Sequence, residues 1–451
     1  METENKLKEM TTTSCLNEAY RCYQNLSPNF TAKGNDGYWI LGCILDSMID
    51  FLNLAGKHGI VSYDDGKKFL NAVANCYMTN QKQGEWYDDW AWWGNATAKV
   101  YSPDYSNLFG SDPILQNNFK TVCKQTFDFI KSGKVPYFPM DHSGYVGTFK
   151  AYNYAKEMAV SNPGQGWEQI VEGAEPVWNI GCWQAPMTPT TYNPFYTGLG
   201  PFQDSVINGL FYILTQRTLN QAGLGTQTEV DEMSLFYNNW MGLSSPQSLQ
   251  PEQKLFCQLD KNAGLFRERV SIYKNGNPVN GYNHNLVWTG DQGLMLCALT
   301  ELYYKQSDAE QQSTLNLILF VINGVFNYAL GNYLTHYDVI MPWCHLNYDK
   351  NDQPGQAPGG DPGDYFSGTG IFMRGLLEAS NIPSIKQFIG TPQIQQVLNN
   401  TLSALTDGNT YMNFIFNGDA PPVDDSHRWF NDFNKMATLV TASQLLLNEQ
   451  V

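Results

Sequence analysis

The strongest constraint in this chain is a helical signal repeated along nearly all of its length. Apolar residues recur at three- and four-residue spacing and are broken by short polar or glycine-rich turns. The pattern predicts helices over 38–54, 67–78, 89–100, 115–130, 204–219, 230–240, 286–304, 314–330, 365–379, 394–405 and 428–447. Strand-like alternation is scarce, with hairpin candidates only around 143–150 and 265–274. Several helices are apolar on more than one face. This predicts two layers, an inner set buried on both sides and an outer set buried on one.

Two stretches interrupt the rhythm, 134–202 and 346–364, and by composition either would serve as an interdomain linker. Each is rich in aromatics or carboxylates and leads straight into a helix, so walls or lids of one compact domain are the better expectation. The expected organisation is a single domain over 35–451, to which residues 1–34 add an N-terminal segment and a first helix. Hydrophobic residues make up 42% and aromatics 14%, enough for a large core, while only 16% are charged. The remaining surface is neutral, polar and aromatic, which suits sugars.

Forty-three acidic residues against 27 basic ones give a net charge of −16, which disfavours nucleic acid and anionic membrane surfaces as partners. Nine scattered cysteines form no C-x-x-C pair, and several lie in apolar helical patterns, so buried free thiols are expected. No apolar stretch predicts membrane insertion. The nearest, 315–330, carries Asn316, Asn323 and Asn327 and reads as a buried helix. The polar start METENKLKEM predicts a cytoplasmic chain as it stands, or a secreted or periplasmic one if a leader was removed.

The densest chemistry lies in GEWYDDWAWWGNA, residues 84–96, with four tryptophans, a tyrosine and three carboxylates. A helix starting near Tyr87 or Asp88 puts Asp88 and Asp89 in its first turn, where the macrodipole favours charge. Two carboxylates this close cannot ionise independently, and surrounding indoles would raise the pKa of the deeper one. One ionised and one protonated carboxyl is what glycoside hydrolysis requires, about 5 Å apart for retention and roughly 6.5–9.5 Å for inversion. Tryptophan faces would stack on sugar rings. A second reading stands beside this one: a plain helix cap inside an ordinary tryptophan core.

The run Trp86-Tyr87-Asp88-Asp89-Trp90-Ala91-Trp92-Trp93 resembles the active-site motif of glycoside hydrolase family 76, the endo-α-1,6-mannanases. Further matches follow in that family's order. They are Gln203 to Phe211 around Asn208-Gly209, Trp288-Thr289-Gly290-Asp291-Gln292-Gly293, and Gly370-Ile371-Phe372-Met373-Arg374. Upstream, Tyr38-Trp39 opens a helix ending in Ile49-Asp50-Phe51, so the resemblance spans roughly 35–445. It implies an all-α (α/α)6 barrel and retaining hydrolysis of an α-linked polysaccharide or oligosaccharide, with no cofactor and no metal. By that resemblance Asp88 is the nucleophile and Asp89 the general acid/base. Trp39, Trp93 and Trp288 are the candidate stacking platforms, Asp291 and Gln292 the candidate sugar hydrogen-bonders, and Tyr87 and Asn208 further substrate contacts.

The chain departs from the family's pattern at Gly290-Asp291 and at Ser367-Gly368-Thr369, which bears on the substrate more than on the acid pair. A non-catalytic glycan-binding barrel is one alternative. Another is a different sugar-active enzyme on the same barrel, an exo-hydrolase or epimerase using His142, His284 or His345. Six histidines without H-E-x-x-H argue against zinc. Asp349, Asp352, Asp361 and Asp364 lack EF-hand spacing, and Asp424-Asp425 reads as a helix cap.

Overall fold

The computed structural model describes residues 11–31, 38–80, 86–132, 148–150, 160–161, 163–164, 176–178, 182, 204–240, 256–268, 273–274, 277–278, 286–329, 339–345, 363–407 and 425–445. Their helices alternate in chain order between one-sided and all-round burial. The one-sided set comprises α1 (Thr12–Leu26), α3 (Tyr63–Asn80), α5 (Pro113–Ser132), α7 (Gln227–Trp240), α9 (Asp308–Ala329) and α12 (Pro392–Thr406). The other set comprises α2 (Tyr38–Lys57), α4 (Tyr87–Ala98), α6 (Ser205–Arg217), α8 (Thr289–Tyr303), α10 (Gly368–Ala379) and α13 (Asp425–Leu445), with a short α11 (Pro383–Ile389) between α10 and α12.

The burial patterns explain the sorting. Helix α5 buries one stripe, Leu115, Phe119, Val122, Cys123, Phe127 and Ile130, at helical spacing. Helix α8 is buried at every position from Thr289 to Thr300, so it has no face to give to water. The all-round helices close a ring: α2 packs on α4, α4 on α6, α6 on α8, α8 on α10, α10 on α13, and α13 back on α2. Each one-sided helix lies outside that ring, α1 on α13, α3 and α5 on one another and on α2 and α4, α7 on α6, α9 on α8, and α12 on α13. Six inner and six outer helices make an (α/α)6 barrel.

Close approach within the ring rests on small residues. A Cβ at Gly375 of α10 would collide with the backbone of Gly293 in α8, and one at Gly293 would strike the backbone at Ile371 and Phe372. Polar side chains lock neighbouring helices where apolar packing alone would let them slide. Asn95 of α4 donates to Leu210 O of α6 at 2.8 Å, and Asn434 of α13 accepts from Gly370 N of α10 at 2.8 Å.

Strands are short two-stranded pairs on the loops. β1 (Thr148–Lys150) pairs with β2 (Pro176–Trp178), so 143–150 meets a partner well along the chain. β3 (Phe256–Gln258) pairs with β4 (Gly264–Phe266), and β5 (Tyr273–Lys274) with β6 (Asn277–Pro278), making two hairpins where one was expected at 265–274. The predicted helix over 286–304 needs correction. Residues Leu286–Trp288 are β7, paired with β8 (Trp343–His345), and the helix begins only at Thr289. Among the described residues the helix most like a membrane span is Trp39–Lys57, not 315–330, and 83% of its apolar window is buried inside the fold. Seven of the eight described cysteines, all but Cys76, are buried.

The inner helices run in one direction. Their C-terminal residues Ala98, Arg217, Glu301 and Glu378 converge on one cavity, beside a buried ion network. Lys99 donates to Asp46 O at 2.8 Å and pairs with the carboxylates of Asp46 and Asp50. Arg374 pairs with Asp46, and Arg217 pairs with Glu378 at 2.9 Å while standing 3.7 Å from Glu301. Burial alone would raise the Asp46 carboxyl, but Arg374, Lys99 and Arg217 hold it well below the ordinary carboxylate range.

Candidate active site

At the opposite end, the inner helices present their N-termini. Helix α4 starts at Tyr87, with Trp86 extended before it (φ −108°, ψ 141°) and giving no side-chain cap. The N-cap is therefore a tryptophan, and Asp88 and Asp89 stand inside the first turn, two and three positions beyond the place of a capping aspartate. Neither aspartate is the N-cap residue, although the Asp88 carboxyl accepts from the first-turn N–H groups of residues 88 and 89.

Asp88 and Asp89 are both half-buried as residues, but Asp88 Oδ1 is buried and finds no hydrogen-bond partner among the described residues. Burial, then the negative charge of Asp204, then that of Asp89, push the Asp88 carboxyl well above the ordinary carboxylate range. The N–H groups of residues 88 and 89 pull the other way and are outweighed. Asp88 therefore holds a proton at pH values where an ordinary carboxyl is ionised.

Asp204 was not among the residues expected at the site. It caps α6, its Oδ1 accepting from Ile207 N at 2.9 Å, and it is 1% exposed. In sequence it carries the signature of an N-cap, and nothing local says that the cap of one inner helix faces the acid pair of its neighbour. Tyr365 and Glu268 were also missed. The Tyr365 hydroxyl donates to Glu268 Oε2 at 2.8 Å, joining the segment before α10 to the loop that bonds Ser205 at the start of α6.

The other expected substrate contacts land mostly in the framework. Tyr87 packs on Phe129 of outer helix α5 at 4.8 Å, and Trp93 on Tyr77 of outer helix α3 at 4.7 Å, so both rings fill the space between layers. Trp288 is buried, donates its indole N–H to Tyr365 O at 2.9 Å and packs edge-on against that ring. Gln292 uses its whole amide on backbone, accepting from Phe266 N and donating to Phe266 O and Trp288 O. Asn208 does the same with Cys182 N, Cys182 O and Asp204 O. These amides are already satisfied and hold the loops over the inner ring.

Asp291 is fully buried in the first turn of α8. Trp39 alone of the expected platforms is half-buried, tilted against Trp92 and Phe430 at the N-terminal end of the ring. The positions that depart from the family pattern are buried too. A Cβ at Gly290 would strike the Trp288 ring, and Thr369 donates to Ile340 O at 3.2 Å.

Among the described residues, no group of three or more His, Cys, Asp or Glu is placed to hold a metal ion. His142, His284 and Asp349, Asp352 and Asp361 lie outside the described residues, as does Asp424; the side chains of His345, Asp364 and Asp425 are likewise outside them.

No protein-family model and no curated protein matches the chain by sequence. Solved structures match it by fold. The Lin0763 protein from Listeria innocua superposes with a TM-score of 0.54 at 13% identity, covering 98% of this chain and 99% of that one. The GH76A α-1,6-mannanase from Salegentibacter sp. HEL1_6 gives 0.54 at 14% identity over 96% and 99%. An inactive variant of that enzyme, with two consecutive aspartates changed to asparagine and α-1,6-mannotriose bound, gives 0.53 at 12% identity over 96% and 99%. The chain has the fold of the family GH76 α-mannanases.

Proposed function

We propose that the chain is a glycoside hydrolase of the family 76 kind, an endo-acting α-1,6-mannanase working with retention, and that Asp88 and Asp89 are its catalytic pair. The observation that carries this reading is a carboxyl with a buried, unpartnered Oδ1, pushed above the ordinary carboxylate range, beside a second carboxylate in the first turn of an inner helix. The strongest charged influences on it are themselves acids. The proposal draws support from the fold's mannanase relatives, one of which is inactive when two adjacent aspartates are replaced.

In the retaining mechanism one carboxylate attacks the anomeric carbon while the other protonates the departing glycosidic oxygen. Water then enters with the second residue acting as base. The family resemblance makes Asp88 the nucleophile. In the free protein, however, the proton favours Asp88. The two statements are compatible if substrate moves the proton: positive charge developing at the anomeric carbon favours ionised Asp88, and a sugar covering half-exposed Asp89 raises its carboxyl.

Two experiments test this. Incubation with α-1,6-mannan, followed by product sizing, should give oligosaccharides from internal cleavage. Bound mannan without products would make the protein a glycan-binding barrel instead. Trapping with a 2-deoxy-2-fluoro mannosyl donor and mapping the labelled peptide then assigns roles. A label on Asp88 supports the division above, and one on Asp89 reverses it.

A further inference from the structure

Tyr365 belongs to the segment before α10, and α10 lies opposite α4 in the inner ring of six helices. The Tyr365 backbone therefore stands across the mouth from Asp88 and Asp89. Neighbouring helix axes are about 8–10 Å apart, so opposite axes leave a gap that side chains from both sides and a sugar can fill. The Tyr365 hydroxyl donates to Glu268 Oε2 at 2.8 Å, and Glu268 O accepts at 2.8 Å from Ser205 N, the residue after Asp204. The phenol thus bridges from α10 to the start of α6, over the N-terminus of α8, and its hydroxyl end is tied close to the residue whose charge acts on Asp88.

The ring is held as firmly as the hydroxyl. The Trp288 indole N–H donates to Tyr365 O at 2.9 Å, and the two rings meet edge-on with centroids 5.7 Å apart. Trp288 is itself seated on two glycines: a Cβ at Gly290 would strike its ring, and one at Gly368 would strike its indole nitrogen and Pro342 O. Glu268 is buried, whereas Tyr365 is half-buried and partly accessible. Ring and hydroxyl are thus placed before any ligand arrives, which lowers the ordering cost of binding. With its proton directed at Glu268, the phenolic oxygen acts toward a ligand as an acceptor. That suits a sugar hydroxyl, which can donate.

We propose that Tyr365 is a specificity-determining residue of the site: its hydroxyl oxygen accepts from one hydroxyl of the neutral hexose bound in the mouth against Asp88 and Asp89, and Glu268 is the positioning residue that orients it. The place of the sugar rests on the hydrolase reading above. A sugar lacking that one hydroxyl is then disfavoured, because a group arranged to bond it is left without its partner.

The test titrates the Asp88→Asn/Asp89→Asn protein, with and without Tyr365→Phe, with methyl α-mannoside and its 2-, 3- and 4-deoxy forms by ligand-observed NMR. Phenylalanine keeps the ring on Trp288 and removes only the hydroxyl. If that change alone fails to fold, Tyr365→Phe/Glu268→Gln also removes the carboxylate left behind and takes its place. Tyr365→Phe should weaken methyl α-mannoside by about threefold to tenfold. It should also erase the penalty for one deoxy form and leave the other two penalties in place. A merely structural role would weaken all four sugars alike. That result, four unchanged affinities, or no sugar binding at all would each overturn the proposal, while mannan turnover by the unmutated protein would leave the hydrolase reading standing. The one-hydroxyl pattern found with methyl α-glucoside and its deoxy forms, and not with the mannosides, would refute the mannanase reading and keep this one.

Discussion

The two ends of the barrel handle buried acids in opposite ways. At the C-terminal end of the inner ring Asp46 is buried among Arg374, Lys99 and Arg217, which hold its carboxyl down. At the N-terminal end the half-buried Asp88 keeps its Oδ1 out of water with Asp204 and Asp89 as its strongest charged neighbours, and its carboxyl rises. Burial costs both groups, and partners decide the outcome. A compensated acid ties helices together, whereas an uncompensated one is a proton held ready at a fixed place. The end that the fold leaves electrostatically unsatisfied is the one whose chemistry suits a functional site.

The contrast predicts opposite responses to mutation. Asp88→Asn or Asp89→Asn should lower mannan turnover by about 10²- to 10⁴-fold with thermal unfolding unchanged or slightly higher, because a repulsion is lost. Asp46→Ala should leave three cations short of a partner and destabilise the fold by about 3–5 kcal/mol in denaturant unfolding. A stable Asp46→Ala protein would show that the far-end network is not the tie described here. Smaller is the effect of Asp204→Asn. Asparagine still caps α6 at Ile207 N, so stability should move by a few tenths of a kcal/mol, ~0.5 at most. Removing its charge lets the Asp88 carboxyl fall, so the alkaline limb of kcat/KM should move to lower pH. A limb that stays in place would detach Asp204 from the site.

The barrel was legible from the sequence because its cause is local. Inner and outer helices differ in how many faces are apolar, as in α8 against α5, and periodicity records that. The acid pair was legible as a motif, and its place beyond the N-cap needed the observation that Trp86, not an aspartate, takes that position. Asp204 was not legible as a partner of Asp88, since their proximity arises from α4 packing on α6 across more than a hundred residues. Tyr87, Trp93, Asn208, Trp288 and Gln292 have the residue types of sugar contacts. Whether an indole faces a cleft or a neighbouring helix, and whether an amide is already bonded to backbone, is set by tertiary packing. The β7 start at Leu286 was missed because its partner, Trp343–His345, is distant in sequence.

The smallest effect separates two acids that share the far end. Glu301 is raised from 4.5 to about 7, first by burial and then by Glu378, against the pull of Arg217 and Lys305. The folded state thus binds this proton more tightly than the unfolded chain. The resulting stability is fully present below about pH 4.5, declines as pH rises, and is gone above about 7. Asp46 has the opposite sign. Its contribution is present above its unfolded value of 3.8 and is lost on acidification. Glu301→Gln cannot titrate, so the fall in Tm between pH 5 and pH 8 should shrink in that variant while the acid-side loss from Asp46 remains. Glu301 is 24% exposed, so salt should screen the difference and high ionic strength should narrow it. An unchanged Tm profile would mean that Arg217 and Lys305 already neutralise Glu301, and that the far end is compensated throughout.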